Sequence, residues 1–373
     1  MKTLSSIPKH TRVLVRVDYN VPLKGSKIVD PRRIDASIAT IQALLKKGCT
    51  PILIAHLGDG TESLRPIATY LSKICTIVFI TNDVTSAHTR QLIAQVPKGT
   101  VILLENIRRY TGEEKNTASF AKALARLADA YVNDAFSVSH RAHASVVGVP
   151  RYLPAYAGVQ LQAEIKALSR ALGTKKHPVV CILGGAKFGT KIPLLTRFAA
   201  SADKLIVAGA ILNNFYKVAG FEVGKSVTEQ GYDAPIKKLL KHENLLLPVD
   251  IIVTRGNKKV VVTPLEVATS DVIVDIGPQS IALITREIST AKLVVWNGPT
   301  GWYEKGFDRG TVAIAKAIVA ANTHAIIGGG DTGAVIDTLV TTTDSKRIFV
   351  STGGGATLEY LSKGTLIGIT ALQ

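Results

Sequence analysis

KLIVAGAILNNFYKVAGFEVGKS, residues 204–226, decides how the chain is read. It ends in Gly224, Lys225 and Ser226, the second half of a phosphate-binding P-loop. Position 219 is Ala, however, where that signature needs Gly. A P-loop must also leave a strand and enter a helix at once. Here an apolar, β-branched run at 204–209 is followed by a helical pattern, and only then by Gly220. Gly220 is therefore expected to cap the helix C-terminus, which puts GKS in a surface loop and moves any phosphate site elsewhere. What remains is one strand–helix unit of a parallel sheet.

The same alternation recurs outward in both directions. Candidate strands lie at 12–17, 51–56, 76–80, 101–106 and 129–134, and again at 178–183, 271–277, 292–297, 324–330 and 347–352. Helical spacing is clear in 33–47, 117–128, 160–172 and 309–321. Near-continuous Val/Ile/Leu strands between helices indicate parallel sheets covered on both faces. The expected fold class is α/β, with two doubly wound, Rossmann-like parallel-sheet domains. The two series flank one helix, so the expected division is a domain at 1–158, an interdomain helix and hinge at 159–173, and a second domain at 174–364. A length of 373 residues suffices for both.

Composition narrows the function classes. Apolar residues make up 46% and charged residues 20%, as in a packed globular protein. No apolar run reaches membrane-spanning length, and the N-terminus lacks a secretory h-region. Cys49, Cys75 and Cys181 lie far apart in or beside apolar runs and read as buried thiols of a reducing, cytoplasmic compartment. The formal charge of +17 raises nucleic acid as a partner, but no nucleic-acid motif accompanies it. A cleft for small anions ranks first.

Chemistry in a parallel sheet gathers beyond the carboxyl ends of the strands. In the first half those ends are polar or cationic. Asp18 and Asn20 follow the first run, His56 ends the second, and Arg108 and Arg109 follow 101–106. His140, Arg141 and His143 follow 129–134, and Arg32 and Arg33 open a helix. Converging guanidinium groups suit a multiply charged small anion. His140 and His143 lack a third Cys or His nearby, so no metal is expected there. In the second half the strands end in glycine. Gly184 and Gly185 precede Lys187 and Lys191, three glycines precede Asp331, and Gly353 to Gly355 open a helix. Such turns let backbone N–H groups approach phosphate, and Asp331 suits Mg²⁺ beside a polyphosphate. A basic cleft in one domain and a glycine-lined nucleotide cleft in the other is a layout for phosphoryl transfer.

Read together, RVLVRVDYNVPL, LLENIRRYTGEEKN, YVNDAFSVSHRAHAS, GGAKFGTKI, VVWNGPTGWYE, GGGDTGA and STGGGATLEYL resemble phosphoglycerate kinase, in collinear order over essentially the whole chain. The resemblance implies reversible transfer of the acyl phosphate of 1,3-bisphosphoglycerate to ADP, giving 3-phosphoglycerate and ATP, with Mg²⁺ as cofactor. It implies that Asp18, Tyr19, Asn20, Arg33, His56, Leu57, Gly58, Asp59, Arg108 and Arg141 line the phosphoglycerate site. Lys187 and Lys191 would meet the nucleotide and its moving phosphate, Gly209 and Ala210 the adenine, Glu304 the ribose and Asn297 the phosphates. Gly329, Gly330, Asp331 and Thr332 would form a further phosphate turn, with Asp331 on the metal. Arg33, Lys191, Gly353 and Gly354 would act on the transferring group. The resemblance also implies a monomer that closes about its hinge, a tail at 365–373 packed on the first domain, and neither nucleic acid nor membrane as partner.

Three departures stand out. Asp59 occupies the place of an Arg that helps clamp the substrate phosphate, Gly189–Thr190 replaces a common Ser-Asp or Ala-Asp, and Thr300 and Trp302–Tyr303 replace Met and Val/Ala–Phe. Arg109, and less so Arg65, are the spare arginines that could offset Asp59. A degenerate member with weakened substrate binding is one alternative reading, and a basic nucleic-acid-binding protein is another.

Overall fold

A computed structural model describes residues 1–173, 176–341 and 343–373. The chain forms two compact units: Met1–Lys166 with Thr365–Gln373, and Ala167–Gly364. The division falls inside the helix Val159–Gly173. The expected start of a second domain at residue 174 lies outside the described residues.

The first unit carries strands β1 (Arg12–Arg16), β2 (Thr50–Ile54), β3 (Ile77–Ile80), β4 (Val101–Leu104), β5 (Ala130–Asn133) and β6 (Ala155–Ala157). They form one parallel sheet in the order β3-β4-β2-β1-β5-β6. The central strands are buried along nearly their whole length because helices cover both faces, which is why they read as unbroken apolar runs. Val13, Val15, Leu53, Leu103 and Val132 pack against Ile34, Ile41, Leu64 and Ile67 in one core cluster.

The second unit carries β7 (Val179–Leu183), β8 (Lys204–Val207), β9 (Leu245–Leu246), β10 (Ile251–Arg255), β11 (Lys258–Val262), β12 (Val272–Ile276), β13 (Leu293–Asn297), β14 (His324–Gly328) and β15 (Ile348–Val350). Six of these form a second parallel sheet in the order β9-β8-β7-β13-β14-β15. Its first strand lies at the centre, so chain direction across the sheet reverses between β7 and β13. That reversal opens a crevice at their carboxyl ends.

The run at 271–277 does not join this sheet. Its strand β12 pairs antiparallel with β10, which makes a hairpin with β11 through Gly256 and Asn257. A short, mostly apolar run does not encode the direction of its partner, and β11, two lysines followed by three valines, carries a weak strand signal.

The opening stretch behaves as a strand and a helix. After the helix Ile211–Val218, Gly220 takes a left-handed conformation, its N–H donating to Lys217 O while that of Phe221 donates to Tyr216 O. This is a Schellman cap, completed by the edge-on packing of Phe221 against Tyr216. The GKS segment is more firmly held than a free loop. The N–H of Lys225 donates to Asp271 O, and Ser226 Oγ accepts from the N–H of Ile273, so only the Lys225 side chain reaches solvent.

Candidate active site

In the first unit, residues beyond the strand ends converge on Asp18. Its carboxylate meets Arg33 at 3.1 Å and accepts from the Ser137 hydroxyl and the N–H of Asn20. Arg33 also donates to Asn20 O at 3.1 Å, and Asn20 Oδ1 accepts from the N–H of Gly58 at 2.9 Å. Arg108 donates to Gly58 O and pairs with Glu114 at 3.1 Å. Burial lowers the pKa of Arg141, with nearby Arg108 adding to the effect.

Two neutral imidazoles stand among these cations. Burial, then Arg16, Arg108 and Arg141, hold His56 far below the usual histidine range. Burial and the same arginines push His143 down to about 4. Several cations held close together are unfavourable alone and are relieved by an anion.

His56 is positioned by a group that sequence reasoning missed. Arg16, fully buried in β1, meets His56 Nδ1 at 3.1 Å and donates to Ser145 Oγ at 2.8 Å. Ser145 in turn donates from its hydroxyl and its N–H to Glu113, itself 1% exposed. Burial raises the Glu113 pKa and the Arg16 charge opposes that rise. An Arg inside an apolar strand is the one sequence signal for this network, since a buried guanidinium needs partners.

Other expected residues lie differently. Tyr19 and Leu57 have their side chains in the core, with the Tyr19 hydroxyl 3.0 Å from Ser37 Oγ. Asp59 is exposed, and its carboxylate accepts from the N–H and hydroxyl of Thr61. Arg109 reaches Glu105 at 3.5 Å, and Arg65 lies over the Phe79 ring at 5.3 Å.

In the second unit the crevice at the β7–β13 switch point is a cavity of about 640 Å³. Its wall includes Lys187, Lys191, Gly209, Ala210, Asn297, Glu304, Gly329 and Asp331 of the expected residues. The strand ends approach so closely there that a Cβ on Gly184 would overlap Pro299 O, and one on Gly209 would overlap the N–H of Gly185. Trp296 is fully buried and donates from its indole to Gly298 O at 3.0 Å, shaping the turn after β13.

Lys191 is 7% exposed, and its Nζ lies 3.3 Å from where a Gly185 Cβ would stand. Burial lowers its pKa, and the Glu229 carboxylate opposes that shift. Glu229 was not legible in the sequence. It accepts from the N–H groups of Phe188 and Gly189, holding the loop that carries both lysines.

Asp331 opens the helix Gly330–Asp337, and burial with the Glu304 carboxylate raises its pKa. A carboxylate in that setting is relieved by a cation. No cluster of three His, Cys, Asp or Glu among the described residues could hold a metal alone. One hard carboxylate beside a phosphate cradle fits Mg²⁺ shared with a nucleotide. Thr332 turns inward, its hydroxyl donating to Gly328 O at 2.6 Å. Gly330, Gly353 and Gly354 lie outside the cavity wall. Gly353 donates its N–H to Ser351 Oγ, while Gly354 precedes the helix Gly355–Lys363.

Among the described residues no helix is long and apolar enough to cross a membrane. Two parallel sheets, a cationic cluster in one unit and a glycine-walled cavity with lysines in the other are the parts of a kinase. Comparison with known proteins agrees. The family model described as phosphoglycerate kinase matches residues 5–364. A phosphoglycerate kinase of Dictyoglomus turgidum is 42% identical, covering 98% of this chain and 96% of its own. One of Methylorubrum extorquens is also 42% identical, over 97% and 95%. The solved structure of phosphoglycerate kinase from Coxiella burnetii is similar with a TM-score of 0.86 at 36% identity, covering 99% of this chain and 97% of that one. That from Pyrococcus horikoshii has a TM-score of 0.86 at 28% identity, over 100% and 98%. Sequence, fold and site geometry thus lead to one conclusion: the chain belongs to the phosphoglycerate kinase family, whose members transfer phosphate to and from a carboxyl group.

Proposed function

We propose that the protein catalyses reversible phosphoryl transfer between 1,3-bisphosphoglycerate and ADP, giving 3-phosphoglycerate and ATP, as a cytoplasmic, monomeric enzyme of glycolysis and gluconeogenesis. The observation that carries this reading is the buried Lys191 in the wall of the glycine-lined cavity. A desolvated ammonium beside a phosphate cradle acts in low dielectric, where its charge is worth most.

In this reading Arg33, Arg108 and Arg141, with neutral His56 and backbone around Asn20 and Gly58, bind the phosphoglycerate. Arg16 positions His56 and touches no substrate. Arg33, already beside Asp18 and Asn20, neutralises the carboxyl oxygen that receives or releases the phosphoryl group. In the other unit Gly209 and Ala210 border the base, Glu304 meets the ribose, and Asn297, Lys187 and the Gly329 turn meet the phosphates. Lys191 neutralises charge on the phosphoryl group in flight, and the N–H groups at the start of the helix Gly355–Lys363 add partial positive charge. Asp331 would hold Mg²⁺, and the ion would supply positive charge against the nucleotide's phosphates.

The test is a coupled assay with 3-phosphoglycerate, ATP and Mg²⁺. Saturable turnover that stops on chelation is expected. Steeply salt-dependent nucleic-acid binding without turnover would overturn the reading.

A further inference from the structure

Gly189 lies in the loop between Lys187 and Lys191 but not in the cavity wall. Its φ is outside the left-handed region, so the backbone does not call for glycine there. What excludes a side chain is Tyr232. A Cβ on Gly189 would overlap the Tyr232 hydroxyl oxygen and stand 3.2 Å from Cζ of the same ring.

Tyr232 can press on this loop because it is itself held. It precedes the helix Asp233–Leu239, in which Ile236 and Leu239 are buried, and Tyr232 O accepts from the N–H of Ile236 at 3.1 Å. Its ring lies against that of Phe188, with centroids 5.1 Å apart, and the fully buried Phe188 lies in turn against Phe215 at 5.9 Å. Phe188 connects this stack to Lys191. Its N–H donates to Glu229, and its carbonyl accepts from the N–H of Lys191 at 2.8 Å. Lys191 then leads into the helix Ile192–Ser201, its carbonyl accepting from the N–H of Leu195. A push by Tyr232 on Phe188 or Gly189 is therefore carried through the backbone to Lys191. That side chain is buried beside the Gly185 turn, where close packing leaves little room to absorb a shift.

We propose that Tyr232 is a positioning residue for phosphoryl transfer, its ring on Phe188 and its hydroxyl on Gly189 fixing the loop that sets the Lys191 ammonium in the cavity wall. Tyr232 lies outside that wall and in this role touches no substrate. This rests on the reading above that Lys191 acts on the moving phosphoryl group. A group that acts in the transition state needs close placement, and the support comes from packing of this kind.

The experiment is steady-state kinetics of the whole protein, with saturating 3-phosphoglycerate and Mg-ATP, alongside thermal melts. Gly189→Ala should lower kcat by about tenfold, as a small misplacement of a catalytic group does, and leave KM for 3-phosphoglycerate within about twofold. Tyr232→Phe removes only the hydroxyl and leaves Cζ as the nearest atom, which a slight tilt of the ring would clear. In that background Gly189→Ala should cost about twofold or less. In a Lys191→Ala background it should likewise cost about twofold or less, because the group that it misplaces is gone. Wild-type kcat in Gly189→Ala would overturn the proposal. So would an equal loss with and without the Tyr232 hydroxyl, an equal loss with and without Lys191, or a loss of kcat that only follows a fall in Tm. Absence of turnover in wild type would overturn the proposed function itself, a result distinct from turnover without this coupling.

Discussion

Lys191 and Asp59 show how much a side chain's setting governs its effect. Lys191 is buried against the Gly185 turn with Glu229 as its compensating charge. Lys191→Ala should therefore lower kcat by about 100-fold while Kd for Mg-ADP moves much less, since such charge stabilisation is worth on the order of 3 kcal/mol in the transition state. An unchanged kcat would remove it from the catalytic role. Asp59 stands where a phosphate-clamping Arg is common, yet its carboxylate is tied to Thr61 and lies in solvent. Asp59→Ala should leave KM for 3-phosphoglycerate within about twofold, as for other screened surface charges. A tenfold fall in KM would mean that the carboxylate does face the anion. Arg109 and Arg65 were the sequence's candidates to offset it, and Glu105 and the Phe79 ring already engage them. The sequence places Arg108 and Arg141 beyond strand ends and Arg33 at the start of a helix, but it cannot show which guanidinium is already paired.

At the scale of elements, the helix Val159–Gly173 begins on groups from far along the chain. Its N–H groups at Val159, Gln160 and Leu161 donate to Thr40 Oγ1 and Asp134 Oδ1. Burial pushes the Asp134 carboxyl up to about 7 from an ordinary 3.8, its hydrogen bonds opposing the rise. A carboxyl whose pKa is raised in the folded state binds its proton more tightly there than when unfolded. Its contribution is complete below about pH 4 and is lost as pH climbs towards about 7. Asp134→Asn keeps an acceptor for the helix N–H groups and cannot ionise. Thermal melts between pH 4 and 8 should thus show Tm of wild type declining relative to this variant as pH rises; parallel curves would refute the assignment. Element type was largely legible: the central parallel strands are buried on both faces, and burial writes itself as unbroken Val, Ile and Leu. The antiparallel trio β10–β12 was not. Its middle pairing depends on a hairpin whose outer strand, two lysines followed by three valines, carries a weak strand signal.

At the scale of the whole molecule, the proposed reaction divides its reactants between two units, one with the cationic cluster and one with the cavity. Transfer before they approach would leave the phosphoryl group open to water. Small-angle scattering should therefore show a smaller radius of gyration with 3-phosphoglycerate and Mg-nucleotide together than with neither; an unchanged radius under every condition would count against closure. The sequence by itself determined the α/β class, the parallel sheets and the family, because these rest on local signals: apolar runs, helical spacing, and glycines or cations directly after a strand. Only the tertiary structure decided which polar groups are buried and who answers them. Arg16 finds Ser145 across 129 positions of chain, and Glu229 holds Phe188 across 41. Asn213 is left with a free acceptor because Val227 takes its amide nitrogen. The free energy of a polar group depends on what replaces its water, and those replacements come from residues that no local pattern connects.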